Sequence, residues 1–235
     1  DYVNGGIHAD SLSGGNGNDS LVGEEGNDKI SGGAGNDIAY GGADSDSIAG
    51  EGGNDSLYGD EGDDSINGGG GNDRVYGGNG DDTVQGGGGN DRVYGDDGDD
   101  TVLGGDGNDS LYGGDGDDVL NGGNGFDFYT GGDGLDTFVF DVSGTSAAPE
   151  RDAITDFSFA DDYIDLTAFN LVSTSQVTQV NEGTIPGLPL GSNIKTLYVD
   201  LNDDNSAANN TTKAELVIHV QAGIGGNPVQ RCRQR

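Results

Sequence analysis

Fifteen nine-residue units follow one another from Gly5 to Val139 without one inserted or deleted residue. Every unit opens on Gly and carries Asp at its sixth place. The series is Asp10, Asp19, Asp28, Asp37, Asp46, Asp55, Asp64, Asp73, Asp82, Asp91, Asp100, Asp109, Asp118, Asp127 and Asp136. A period held this long implies stacked units, each contacting only its neighbours. The fourth place is Gly in thirteen units, His8 and Asp44 being the exceptions. The second is Gly in eleven, and its four replacements, Glu24, Glu51, Asp60 and Asp96, are all acidic. The fifth is Asn or Asp in eleven. Drift in a low-complexity tract would scramble such a phase.

The unit reads GGxGxDxUx, with U aliphatic or aromatic, and residues 14–22 (GGNGNDSLV) show it in full. It resembles the calcium-binding nonapeptide of the RTX (repeats-in-toxin) family, which implies a parallel β-helix. The glycines at places one, two and four are expected to form a turn that needs positive φ and leaves backbone carbonyls uncovered. The last three residues of each unit are expected to be extended, with only the eighth inward. That inward series runs from Leu12 and Leu21 to Tyr129 and Phe138, and its branched aliphatics suit a short, half-buried strand. Three residues make too short a strand to persist alone, so the units must stack.

A second period shows how. Tyr40, Tyr58, Tyr76, Tyr94 and Tyr112 stand at the ninth place of alternate units, and Arg74 and Arg92 repeat the same eighteen-residue spacing at the seventh. One coil therefore holds two units, one strand in each of two sheets. The predicted fold is an all-β, right-handed parallel β-roll, a rod of roughly 35 Å at about 4.8 Å per strand. The tyrosines form a ladder up one sheet face. It reads first as packing that stiffens the sheet, and second as a binding face for carbohydrate or another subunit.

Charge points to a divalent cation. Residues 1–140 hold 31 acidic residues against Lys29, Arg74 and Arg92. Stacked turns bring sixth-place carboxylates to roughly 5 Å, where each pair repels by about 3 kcal/mol at an effective dielectric of 20. One small apolar residue per unit contributes only about 1.5–3 kcal/mol, and the entropy of the glycines opposes it. Bare, such a segment is expected to be disordered. All-oxygen ligation suits calcium, with up to about thirteen ions between stacked turns. The candidate backbone ligands are the carbonyls of Gly14, Gly23, Gly32, Gly41, Gly50, Gly59, Gly68, Gly77, Gly86, Gly95, Gly104 and Gly113. Magnesium fits a carbonyl-rich loop less well. Zinc and copper are disfavoured, since only His8, His219 and Cys232 offer softer donors.

The net charge of −34 argues against nucleic acid and anionic membranes as partners. No apolar run is long enough to span a membrane, and one cysteine excludes a disulfide scaffold. Calcium filling such sites points outside the cell. HExxH, GxSxG and a Cys/His pairing are all absent, so no catalytic group is expected in this chain.

After Phe140 the phase is lost. Residues 136–140 read DTFVF, and Asp152, Ile154, Asp156, Phe157, Asp162, Ile164, Asp165 and Leu166 follow in a D-x-I-x-DF…D-x-IDL pattern. This resembles the segment that follows the repeats in serralysin-type proteases and mannuronan epimerase modules. The resemblance implies a segment that closes the roll, with Asp152, Asp156 and Asp165 as candidate ligands for further calcium; turn and cap roles are the alternative. Residues 194–200 and 214–220 alternate like the strands of a hairpin covering the coil end. Asp200, Asn202 and Asp204 echo the start of an EF-hand loop, but Thr211 stands where its last acid belongs, so a plain hairpin loop is favoured. His219 reads as structural, and His8 has no partner histidine. The basic tail carrying Cys232 departs from the apolar ends usual in RTX proteins.

The expected organisation is a roll over 5–140 and a capping region over 141–235. Two functions fit it. One is an extracellular structural or assembly module that folds on calcium after export, as in a surface layer or filament, with homo-oligomer contacts through the uncapped first coil. The alternative is the secretion and folding domain at the end of an exported enzyme or toxin.

Overall fold

Each strand starts at the seventh place of one unit and runs to the third place of the next, as in β1 (Tyr2–Ile7), β2 (Ser11–Asn16) and β3 (Ser20–Glu25). The pattern repeats every nine residues to β15 (Phe128–Asp133), and β16 (Thr137–Val139) ends the series. These come from a computed structural model that describes residues 1–140, 152–158, 161–165, 177–180, 194–200 and 215–221. The strands are twice the expected length. Gly6 pairs with Glu24 and Ile7 with Glu25 in the next coil, so the ladder resumes past the first-place glycine, with the second place paired at positive φ.

Odd-numbered strands form one parallel sheet and even-numbered strands the other. Leu21 pairs with Ala39 and Val84 with Val102, eighteen residues apart in both sheets. The coil of two units is thus observed. The tyrosine ladder is observed as well, with ring centroids 4.6–4.9 Å apart and planes within 10°.

The core is one side chain wide. Every eighth-place residue from Leu12 to Phe138 is buried. At the last coil aliphatics give way to rings: Tyr129 lies 6.1 Å from Phe138 and 5.3 Å from Phe140, and Phe138 lies 5.9 Å from Phe157. Larger side chains there fill the space where no further regular coil stacks.

Two short strands extend the roll beyond Phe140. β17 (Ala153–Ile154) adds to the odd sheet beside β15, and β18 (Tyr163–Asp165) adds to the even sheet beside β16. The expected hairpin is present, as β20 (Ile194–Asp200) antiparallel to β21 (Glu215–Gln221). β21 joins β17 in parallel, so the hairpin lengthens the odd sheet. A strand not anticipated, β19 (Val177–Val180), pairs outside β20. Asn202, Asp204, Thr211, the linker 141–150 and the tail with Cys232 lie outside the described residues.

Candidate metal centre

The turns at both edges of the roll hold places four to six, and each brings its aspartate inward. The sixth-place carboxylates from Asp19 to Asp136 are buried. Their Oδ1 atoms accept from the aspartate amide one coil earlier, as where Asp46 N–H donates to Asp64 at 2.7 Å and Asp55 N–H to Asp73 at 2.8 Å. Both series run on past the repeats. Asp127 N–H donates to Asp152 Oδ1 at 3.0 Å and Asp136 N–H to Asp162 Oδ1 at 3.3 Å.

The second oxygen tells more. In thirteen of these aspartates, from Asp19 to Asp118 and again in Asp136, Oδ2 is buried without a hydrogen-bond partner. One such atom is costly, and thirteen in register call for a cation. Each lies beside the first-place glycine of its own unit. A methyl group on Gly14 would sit 2.6 Å from Asp19 Oδ2 and 2.6 Å from the Gly32 carbonyl oxygen. The same two kinds of oxygen converge beside thirteen first-place glycines, from Gly5 to Gly113. This corrects the reading of that position. Positive φ is confined to places two and four, and the first glycine is required for close approach.

Of the candidate carbonyls, those of Gly23 to Gly113 meet a carboxylate oxygen in this way. So do the Gly122 and Gly131 carbonyls, which the sequence did not single out. Beside Gly122 itself the Tyr129 hydroxyl takes the carbonyl's place, 2.9 Å from the Gly122 amide. Of the acids beyond the repeat, Asp152 continues one aspartate series and Asp156 accepts from the amides of Gly131 and Gly132, each at 3.0 Å. Asp165 pairs with Val139 at a ninth-place position, and Asp162 continues the other series.

The fifth place forms a counter-running ladder. Asn36 N–H donates back to Asn18 Oδ1 at 2.9 Å, and Asn54 N–H to Asn36 Oδ1 at 2.8 Å. Phe126 and Leu135 end the two ladders as donors only, to Asn108 and Asp117, so they need no side-chain acceptor. The two edges differ. One carries the asparagines Asn18, Asn36, Asn54, Asn72, Asn90 and Asn108, whereas the other stacks Asp63, Asp81, Asp99 and Asp117.

Burial shifts the inner carboxyls far upward. Desolvation lifts Asp64, Asp82, Asp109 and Asp118 to about 7, against partial relief from the amide that each accepts. It lifts Asp46, Asp55, Asp73, Asp100 and Asp136 to about 6. Asp63 and Asp81 add repulsion at Asp82, and Asp81 and Asp99 at Asp100. Such acids are poised to take a cation in place of a proton.

No three acidic, histidine or cysteine side chains converge among the described residues. A cation in the roll must therefore draw on backbone carbonyls as well. Hard oxygen donors of both kinds fit calcium, whose coordination is large and adaptable, better than magnesium or zinc.

The chain matches the family model described as RTX calcium-binding nonapeptide repeat (4 copies), in overlapping windows at residues 4–39, 40–75, 67–102, 76–111, 94–129 and 103–138. No curated protein matches it. Among the solved structures that match is the solution structure of the AlgE6R3 subunit from the Azotobacter vinelandii mannuronan C5-epimerase. It is 20% identical over 67% of this chain and 92% of that one, with a TM-score of 0.23.

Proposed function

This chain belongs to the RTX calcium-binding nonapeptide-repeat family, and from that membership we propose an extracellular structural module whose roll assembles only when calcium fills its turns. The repeat is a calcium-binding β-roll and is not itself catalytic. Proteins with such repeats are typically secreted, and no helix among the described residues is long and apolar enough to cross a membrane. The observation that carries the proposal is the register of thirteen buried carboxylate oxygens without partners.

The sixth-place Asp Oδ2 atoms and the first-place carbonyls would hold the ions, with Asp152, Asp156 and Asp162 completing the last coil. Calcium supplies positive charge that offsets carboxylate repulsion and occupies the lone pairs that the fold leaves open. Because the sites exist only when coils stack, binding energy is folding energy. Where calcium is scarce the chain stays unfolded, and outside the cell it becomes a rod. Far-ultraviolet circular dichroism of the full chain tests this. At about pH 8, where the inner carboxyls are ionised, the β signal should be absent in chelator, return with calcium, and fail to return with the same concentration of magnesium. A signal that survives chelation unchanged refutes the proposal.

A further inference from the structure

The outer face of the odd sheet carries three columns. Arg74 and Arg92 stand at one side, leading β9 (Arg74–Asn79) and β11 (Arg92–Asp97) as direct partners in the parallel register. The tyrosine ladder runs up the middle. Exposed acids line the far side, with Asp60 on β7 (Ser56–Glu61) and Asp96 on β11. Asn4, at a ninth place, donates to Glu24 Oε1, at a second place, across 2.7 Å. Ninth- and second-place side chains therefore share this face.

Two features of the face go unexplained by folding. Arg74 and Arg92 are two of the three basic residues in a segment with 31 acids, yet they lie against each other. The ion pair found among the described residues joins the Asp1 ammonium to Asp19 and involves neither arginine. Like charges in register destabilise a sheet. Asp60 and Asp96 also hold φ of 76° and 78°, at a place where the neighbouring strands use Gly42, Gly78 and Gly114. Glu24, and Glu51 on the other sheet, hold the same conformation, but with side chains that accept from Asn4 and Ser31 within the roll. A left-handed conformation in a residue with a side chain is strained, and such strain is kept where the side chain has a task.

We propose that this face binds a second copy of the chain about a two-fold axis parallel to the coil axis. That rotation lays one tyrosine ladder on the other and sets each arginine column opposite the partner's acidic column, on both sides. Arg92 and Asp96 share a strand, so they meet at one level. A two-fold axis running along the strands would oppose arginine to arginine. An unrelated polyanion would be attracted to one column and repelled by the other, so charge complementarity favours the self-match.

The inference rests on the calcium-folded roll, so the oligomeric state is read in excess calcium, on samples whose circular dichroism shows the calcium-induced β signal. Sedimentation of the full chain should give a dimer. The reversals R74E/R92E and D60K/D96K should each give monomers, and an equal mixture of the two should dimerise again, because Glu then faces Lys on one side and acid faces Arg on the other. Should a reversed chain not fold, R74S/R92S replaces it, since Ser56 and Ser110 fill the same column. Its dimer dissociation constant should rise at least about tenfold. A folded wild-type monomer, or a dimer indifferent to these substitutions, overturns the interface and leaves the calcium reading standing. Absence of the calcium-induced signal overturns both.

Discussion

The amide of Asp64 donates to Oδ1 of Asp82, 2.7 Å away and one coil further on, while Oδ2 of that carboxylate is buried without a partner. One aspartate thus fastens two coils with one oxygen and offers the other to a ligand. Folding and binding share a single side chain, repeated along both edges.

The response to pH should invert with calcium. In the calcium-free roll Asp64, Asp82, Asp109 and Asp118 are raised to about 7, against an ordinary value of about 4 when unfolded. Between those values the folded state holds more protons, so calcium-free stability falls as pH rises from about 4 to 7 and is greatest below about 4. Calcium requires the ionised carboxylate and keeps it so in the loaded roll, so the loaded roll loses stability as pH falls through the unfolded value of about 4. Ellipticity followed from pH 3.5 to 8 with and without calcium should fall at opposite ends of the range. Parallel curves contradict the burial of these acids.

Gly104→Ala places a methyl 2.5 Å from the Gly122 carbonyl oxygen and 2.6 Å from Asp109 Oδ2. It should lower the calcium-loaded stability by about 1–3 kcal/mol and weaken calcium binding. Gly52→Ala, where nothing stands within 4 Å of the added carbon, should change stability by less than about 0.5 kcal/mol. Thermal melts in saturating calcium compare the two, and equal effects would contradict the close approach.

Asp96→Gly relieves a residue held at φ 78°. It should raise the calcium-loaded stability by about 1 kcal/mol while weakening self-association. A loss of thermal stability would mean that the Asp96 side chain serves the fold itself.

The edge bearing Asp63, Asp81, Asp99 and Asp117 should take calcium more tightly than the asparagine edge. Replacing all four by Asn copies the opposite edge and should weaken roughly half of the sites by about three- to tenfold. Calorimetric titration should resolve two classes in the native chain and bring them together in the variant. A variant whose isotherm matches the native one removes these side chains from the account.

Much of this was legible because the repeat is linear. The eighteen-residue spacing of Tyr40 to Tyr112 translates directly into a coil, and the inward series into a core. Other features needed three dimensions. The aspartate series continue to Asp152 and Asp162 across 25 and 26 residues, off the period, and nothing in the motif around Asp165 singles out Asp162 as the one that continues it. The Tyr129 hydroxyl sits on a residue that reads as core alone. The difference between Asn18 and Asp63 was in plain view, but it acquires meaning only once the two turns are seen on opposite edges. The length of the strands escaped because glycine argues for a turn, and the neighbouring coil overrides it.

Because alternate units lie on opposite sheets, the rod has parity. Removing one nine-residue unit would send every later strand to the other sheet and split the tyrosine column between two faces. Removing two would shorten the rod by one coil, about 4.8 Å, and return each remaining residue to an equivalent neighbour. A gene for such a chain can lengthen or shorten it without penalty only in steps of eighteen codons.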